Sequence, residues 1–188
     1  MSLTPSNMLP LGTKAPNFML PEVTDRWLVQ LSDFASKDAL VVMFICRHCP
    51  YVIHVNNELA RLGNDYENSR VGIVAISAND AQNYPQDRPE GLAEQKEQFG
   101  FKFPYLYDET QEVAQAYKAA CTPDFYVFNQ ERKLVYRGQL DDSRPSNSLA
   151  VTGEHLRQAI EAVLTGETIA PESQRPSLGC NIKWRESD

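Results

Sequence analysis

Two uninterrupted apolar runs, separated by an amphipathic segment, constrain the fold of this chain more than any other feature. The runs cover residues 39–45 and 71–76 and are rich in strand-forming side chains. An apolar run without polar alternation is typical of a strand buried on both faces, as in the parallel sheets of α/β proteins. Between the two runs, apolar residues recur at steps of three and four over residues 52–62, which predicts one buried helical face. The order strand, helix, strand therefore predicts an α/β sheet.

Shorter patterns predict the remaining elements. In chain order these are an edge strand at 27–31, a helix at 91–99, a strand at 103–107, a helix at 109–120, a hairpin at 125–128 and 133–137, and a last helix from Thr152 or Gly153. Gly63 is expected to end the helix that follows the first buried strand. The hairpin makes the central sheet mixed, with helices on both faces. Residues 1–188 form one domain in this interpretation, with an irregular arm at 1–16, which holds three prolines, and a proline-rich tail at 170–188 that packs on the domain.

Charge and hydropathy exclude several classes of partner. The 188 residues include 18 basic and 25 acidic side chains, a net charge of −7, which disfavours binding to a phosphate backbone. The longest apolar run is far shorter than the roughly 20 residues that span a bilayer. The first residues have neither a basic region nor an apolar core, so no signal peptide is predicted. We expect a cytoplasmic protein that binds neither nucleic acid nor membrane.

A close pair of cysteines lies between the first buried strand and the amphipathic helix, in the segment Cys46-Arg47-His48-Cys49. Positions i and i+3 share a face on a helical turn, so the two sulfurs can approach to bonding distance. The N–H groups at a helix amino terminus stabilise a thiolate, and Arg47 and His48 add positive charge that lowers the thiol pKa. We therefore expect Cys46 to be an exposed attacking thiolate and Cys49 to be its disulfide partner.

A metal site is an alternative interpretation of the same segment. Cys46, His48, Cys49 and His54 offer four candidate ligands within nine residues. No second Cys/His pair follows at the spacing of a zinc finger, and adjacent His48 and Cys49 are awkward ligands for one ion. We expect no metal and no cofactor, because a disulfide itself carries two electrons. A redox-sensing or metal-binding module without turnover remains the alternative.

Several motifs resemble the thioredoxin superfamily, and more closely its peroxiredoxin-like branch. The sequence Gly-Thr-Lys-Ala-Pro-Asn-Phe at 12–18 resembles the G-x-x-A-P-x-F opening of that branch, and Leu-Ser-Asp-Phe follows at 31–34. Thr122-Pro123 stands where thioredoxin-like folds carry a cis-proline opposite the cysteine pair. The resemblance covers nearly the whole chain and implies a thioredoxin fold with an inserted helix around 91–99.

The resemblance also implies an activity, thiol–disulfide exchange. Cys46 would form a mixed disulfide with the substrate, Cys49 would resolve it, and Thr122 and Pro123 would present backbone to the substrate. The partners implied are protein or small-molecule disulfides and thiols and an electron donor, and peroxiredoxin relatives suggest a homodimer. Thioredoxins carry a buried aspartate where this chain has Leu40. The group that accepts the proton from Cys49 is therefore unassigned, and water and His48 are the candidates.

A thiol peroxidase is the second enzymatic alternative. Cys49-Pro50 matches the peroxidatic cysteine and proline of peroxiredoxins, but Cys46 stands where those enzymes carry a threonine or serine. The arginine that polarises peroxide is also missing near Thr122-Pro123. Peroxidase activity is thus less favoured than disulfide exchange.

Two further cysteines have two interpretations each. Cys121 lies two residues before Pro123 and is either a buried inert thiol or an additional redox group. Cys180 lies in the tail near Trp184 and is either a resolving cysteine that reaches the active site or part of ordinary tail packing.

Overall fold

The computed structural model describes residues 3–185. Its strands are β1 Leu3–Pro5, β2 Met19–Pro21, β3 Leu28–Gln30, β4 Ala39–Phe44, β5 Val71–Ser77, β6 Tyr105–Tyr107, β7 Cys121–Thr122, β8 Asp124–Phe128, β9 Leu134–Gly138 and β10 Leu178–Asn181. Its α-helices are α1 Pro50–Tyr66, α2 Pro89–Phe99, α3 Glu112–Ala116 and α4 Glu154–Thr165. No helix within this range is long and apolar enough to cross a membrane.

A five-stranded mixed sheet in the order β6-β5-β4-β8-β9 forms the centre of the molecule. Strands β4, β5 and β6 are parallel, whereas β8 pairs antiparallel with both β4 and β9. All six residues of β4 are buried, which confirms the predicted central strand. The expected fold class, a central mixed sheet flanked by helices, is also confirmed.

Alternate residues of β4 face two separate cores because successive side chains of a strand point to opposite faces. Val41 and Met43 pack with the apolar faces of α1, α2 and α4. Leu40 and Val42 pack on the other side with α3, the segment around Phe18 and the tail. The layers thus close over both faces of the sheet, and the β4–α1 junction lies at the carboxyl end of the central strand.

Both terminal segments are more ordered than the sequence predicts. The expectation of an irregular arm at 1–16 is wrong for Leu3–Pro5, because this segment pairs antiparallel with β10. Strand β10 in turn pairs antiparallel with β7, so the tail forms the middle strand of a three-stranded sheet. The predicted arm and tail also include residues 1–2 and 186–188, which lie outside the described range.

Several predicted elements also differ in detail from the structure. Helix α1 continues past Gly63 to Tyr66, since Gly63 packs closely against the ring of Phe103 and tertiary packing outweighs its weak helix propensity. Helix α3 is much shorter than the predicted 109–120, because Lys118 has a left-handed backbone with φ of 51°. The predicted edge strand at 27–31 pairs with β2 in a separate two-stranded sheet.

Candidate functional site

The cysteine pair lies in the loop that joins β4 to α1. Strand β4 ends at Phe44, and the helix begins at Pro50 with Cys49 as its N-cap. Proline is favoured at the first helical position, where its missing N–H has no intrahelical partner to lose. The sequence interpretation assumed that both cysteines lie in the first helical turn. In the structure the helix starts only after the second cysteine. The N–H groups of Val52 and Ile53 in the first turn of α1 donate to the carbonyl oxygen of Cys49, at 3.0 and 2.9 Å.

Hydrogen bonds lower the pKa of the Cys49 thiol to about 5. The largest contribution is a hydrogen bond from the Cys46 thiol, and burial opposes it. Cys180, Thr122 and the backbone N–H of Val52 lower the pKa further. Hydrogen bonds that favour the charged form outweigh burial, so Cys49 is the thiolate of the pair near neutral pH.

Cys46 has the opposite character. Burial is the main cause that raises the pKa of its thiol well above the ordinary value, and the neighbouring Cys49 and Asp87 raise it further. Its sulfur lies 3.4 Å from the hydroxyl oxygen of Thr122. The prediction that Cys46 carries the lowered pKa is therefore wrong. Cys46 remains a protonated thiol that donates to the thiolate of Cys49.

The side chains of Arg47 and His48 face carboxylates, although the sequence interpretation assigned them to lowering the thiol pKa. Arg47 forms an ion pair of 2.7 Å with Glu94. Nδ1 of His48 lies 2.6 Å from Oδ2 of Asp87, and the imidazole stacks on the ring of Tyr84. Neither Arg47 nor His48 is among the main causes of the pKa shifts of Cys46 and Cys49.

Asp87 is a buried carboxylate that accepts several hydrogen bonds, and sequence reasoning did not identify it. Besides His48, it accepts hydrogen bonds from the backbone N–H of Arg47 at 2.8 Å and from Nδ2 of Asn79 at 2.7 Å. Burial tends to raise the pKa of this carboxyl, but the bonds to His48 and Asn79 outweigh it and lower the pKa. Asp87 lies in a polar loop without local periodicity, so no sequence pattern marks it. It fixes the conformation of the loop between the two cysteines.

Thr122 and Pro123 lie directly against the cysteine pair. Their peptide bond is cis, as the resemblance implies. The sulfur of Cys49 lies 3.2 Å from the carbonyl oxygen of Thr122, which accepts from the thiol form. The structure therefore brings Cys46, Cys49 and the Thr122–Pro123 element together.

The two remaining cysteines differ in their position relative to the Cys46–Cys49 pair. The sulfur of Cys180 lies 2.8 Å from that of Cys49, although 131 positions separate them in the chain. Cys121 points away from the pair, toward the carbonyl oxygen of Pro123 at 3.8 Å, and burial strongly raises the pKa of its thiol. The site thus contains three neighbouring sulfurs, those of Cys46, Cys49 and Cys180.

All three sulfurs lie beneath other side chains. Cys49 is 0% exposed and Cys46 is 1% exposed, so the expectation of an exposed pair is wrong for this conformation. The physical reason is the tail, because β10 places Cys180 directly on Cys49. A substrate can reach the thiolate only after a covering segment moves.

The four residues considered as metal ligands do not form one cluster. Cys46 and His48 lie with Asp87 in a group whose ligand atoms are all within 4.8 Å of one another. His54 instead lies 2.8 Å, through Nε2, from the hydroxyl oxygen of Ser143. The cluster that forms is therefore centred on Asp87.

The assignment of the thiolate can be tested by thiolate absorbance at 240 nm in the reduced protein. We expect an absorbance increase with a midpoint near pH 5, because the Cys49 pKa is lowered to about 5. Cys49→Ser should remove this transition, and Cys46→Ala should move it to higher pH by removing a hydrogen-bond donor. Cys121→Ser is the matched control and should leave it unchanged. No transition below pH 7 would contradict the assignment.

Comparisons with known proteins agree with this architecture. The model of the family described as Redoxin matches residues 10–152. An uncharacterized conserved protein from Geobacillus kaustophilus is 56% identical with a TM-score of 0.96, and the match covers 100% of this chain and 99% of that one. A hypothetical protein from Sinorhizobium meliloti is 45% identical with a TM-score of 0.95, covering 98% and 100% of the two chains.

More distant structures share the fold. The thioredoxin domain of a thiol-disulfide oxidoreductase from Bacteroides vulgatus is 20% identical with a TM-score of 0.60, and the match covers 71% of this chain and 91% of that one. No curated protein matches the sequence significantly. The expected thioredoxin-like fold is thereby confirmed.

Proposed function

The chain belongs to the redoxin family of the thioredoxin superfamily, and we propose that it is a thiol–disulfide oxidoreductase that uses the Cys46–Cys49 pair. Its substrates are protein or small-molecule disulfides, and a separate thiol donor returns it to the dithiol state. The observation that carries the proposal is the Cys49 thiol, whose pKa is lowered to about 5 beside a second thiol and a cis-proline. The description of the Bacteroides vulgatus neighbour as a thiol-disulfide oxidoreductase supports the same activity.

The attacking group in this mechanism is Cys49, because only a thiolate is an effective sulfur nucleophile. Its sulfur forms a bond with one sulfur of the substrate disulfide, the substrate S–S bond breaks, and one substrate thiolate leaves. Cys46 then loses its proton and attacks the Cys49 sulfur, which releases the second substrate thiolate. The dithiol thus loses two electrons and becomes a disulfide, and the substrate becomes two thiols.

His48 is the group best placed to accept the proton from Cys46. One of its ring nitrogens belongs to the cluster within 4.8 Å of the Cys46 sulfur. Asp87 orients the imidazole through Nδ1, and no described residue forms a hydrogen bond to the buried Nε2. The dyad of His48 and Asp87 thus supplies a proton acceptor in a fold whose usual buried aspartate is replaced here by Leu40.

The proposal can be tested by reduction of insulin disulfides with dithiothreitol as the donor, combined with redox titration in glutathione buffers. We expect the protein to accelerate insulin reduction and to yield a Cys46–Cys49 disulfide on oxidation, detected by peptide mass mapping. A reduction potential below about −250 mV would indicate a reductant, and one between about −180 and −120 mV an oxidant or isomerase. Absence of both the acceleration and the disulfide would contradict the proposal.

A second candidate is thiol peroxidase activity of Cys49. The thiolate at a helix N-cap immediately before Pro50 favours this candidate. Stopped-flow reaction of the reduced protein with hydrogen peroxide tests it. Rapid loss of the Cys49 thiol that survives Cys46→Ser would favour the peroxidase, whereas slow loss together with active insulin reduction would favour disulfide exchange.

A further inference from the structure

We propose that Cys180 is a third redox-active cysteine, which resolves the mixed disulfide at Cys49 and is carried to it by strand β10. The inference rests on the proposed function, since it needs Cys49 to react with a disulfide. The two sulfurs are 2.8 Å apart, and a disulfide bond is about 2.0 Å long. Bond formation therefore needs only a small movement of either side chain.

Strand pairing holds Cys180 in this place. Cys180 is opposite Thr122 in the pairing with β7 and opposite Leu3 in the pairing with β1. Beyond the strand, the backbone N–H of Ile182 donates to the carbonyl oxygen of Ala120 at 3.0 Å, and that of Lys183 donates to Asn79 at 2.9 Å. Pairing on both sides of β10 thus positions the sulfur of Cys180 in advance of any reaction.

Gly179 permits the close approach of the tail to the cis-proline element. A Cβ atom at this position would lie 2.0 Å from the carbonyl oxygen of Thr122 and 3.3 Å from the nitrogen of Pro123. Any larger residue would push β10 away from Thr122 and withdraw the next residue, Cys180, from Cys49. The local sequence Gly179-Cys180 thus suits a thiol that must lie against the active site.

The tail also explains how the reaction would proceed from a buried thiolate. Cys49 is 0% exposed, and Cys180 lies on its sulfur. The pairing of β10 with β7 must therefore open, and β10 move aside, before a substrate disulfide reaches Cys49. Cys49 then attacks, forms its bond to one substrate sulfur and releases the other as a thiolate. When β10 returns before Cys46 has attacked, Cys180 loses its proton, forms a bond with the Cys49 sulfur and releases the second substrate thiolate. Attack by Cys46 on Cys49 finally regenerates the Cys180 thiol and leaves the Cys46–Cys49 disulfide.

The pKa of the Cys180 thiol changes in the direction that this order of reaction steps requires. In the resting state burial, followed by the hydrogen bond to Cys49 and the charge of that thiolate, raises the pKa of Cys180 to about 12. Once Cys49 is bonded to a substrate, its negative charge is gone and the two contributions from Cys49 vanish. Lys183 lowers the pKa of the same thiol. Cys180 therefore becomes a better nucleophile when Cys49 has reacted.

The test compares three variants of the full chain after treatment with glutathione disulfide. In Cys46→Ser we expect an intramolecular Cys49–Cys180 disulfide, with more than 90% of the glutathione released. In Cys46→Ser/Cys180→Ser we expect glutathione to stay bound to Cys49 in a stable mixed disulfide. Cys46→Ser/Cys121→Ser is the matched control and should behave like Cys46→Ser. Intact-mass and peptide mass spectrometry measure all three outcomes.

Two contrary outcomes have distinct meanings. If Cys46→Ser and Cys46→Ser/Cys180→Ser both retain glutathione on Cys49, Cys180 does not resolve and this inference is overturned, while attack by Cys49 stands. If none of the variants acquires glutathione and none forms a disulfide, the proposed function fails together with the inference. Far-ultraviolet circular dichroism of the reduced variants verifies that each is folded.

Discussion

Cys49→Ser is expected to lower the rate of disulfide exchange by about 10³-fold or more, because it removes the nucleophile itself. Serine is a favoured N-cap residue, and the carbonyl oxygen at position 49 keeps its bonds from the N–H groups of Val52 and Ile53, so the helix start is preserved. The loss should therefore appear in the rate of insulin reduction and not in the thermal unfolding temperature. The substitution thus tests the loss of the exchange rate separately from any loss of folding stability.

Two matched variants sharpen this expectation. Cys121→Ser should keep near-normal exchange, because Cys121 points away from the pair and burial strongly raises the pKa of its thiol. Cys46→Ser should still react with a disulfide in the first step, since the Cys49 thiolate is retained, but it cannot form the Cys46–Cys49 bond. If Cys46→Ser blocked the first attack and Cys49→Ser did not, the order of the two cysteines would be the reverse of that assigned by the structure.

Asp87→Ala is expected to destabilise the reduced protein by about 3–5 kcal/mol, as is typical when one partner of a buried ionic or hydrogen-bonded cluster is removed. Asp87 is 0% exposed. Its loss leaves the backbone N–H of Arg47, the imidazole of His48 and the amide of Asn79 without their acceptor. Urea unfolding followed by circular dichroism measures the change.

A matched control isolates the effect of burial at Asp87. Glu90→Ala removes a carboxylate whose side chain is 72% exposed and pairs with Arg26. It should therefore change the free energy of unfolding by no more than about 1 kcal/mol. Asp87→Asn, which keeps an acceptor for the backbone, should cost less than Asp87→Ala. Equal effects of Asp87→Ala and Glu90→Ala would show that Asp87 does not organise the loop.

The same carboxyl has a predictable pH dependence. Because its folded-state pKa lies below the ordinary value of 3.8, Asp87 contributes stability that is complete above that value. This contribution is lost as the pH falls through the lower, folded-state pKa. The stability difference between the wild type and Asp87→Ala should therefore shrink only in strongly acidic solution.

Local patterns were sufficient to predict most of the fold. The buried strand β4, the helix face from Val52 to Leu62 and the hairpin of β8 and β9 all follow from periodicity, because burial on one or two faces repeats at the period of the element. Helix ends were less predictable. Gly63 does not end α1 and the predicted helix at 109–120 shrinks to Glu112–Ala116, since packing against neighbouring elements decides where a helix stops.

The location of the candidate site was also predictable, but the interactions within it were not. The spacing of Cys46 and Cys49 between a strand and a helix indicates thiol chemistry, and Pro50 is a local signal for where the helix begins. The sequence interpretation nevertheless assigned the thiolate to Cys46. It treated Arg47 and His48 as free positive charges, whereas Glu94 and Asp87 engage both side chains. Those carboxylates come from a different part of the chain.

Sequence alone therefore determined the order of strands and helices, the buried centre of the sheet and the segment that carries the cysteine pair. Tertiary structure alone decided which sulfur is ionised and which third sulfur lies beside it. The physical reason is that periodicity is a property of neighbours in the chain, whereas the acidity of a thiol depends on burial and on donors that folding assembles. Cys180 is 131 residues from Cys49 in the chain, and only the pairing of β10 with β7 brings their sulfurs into contact.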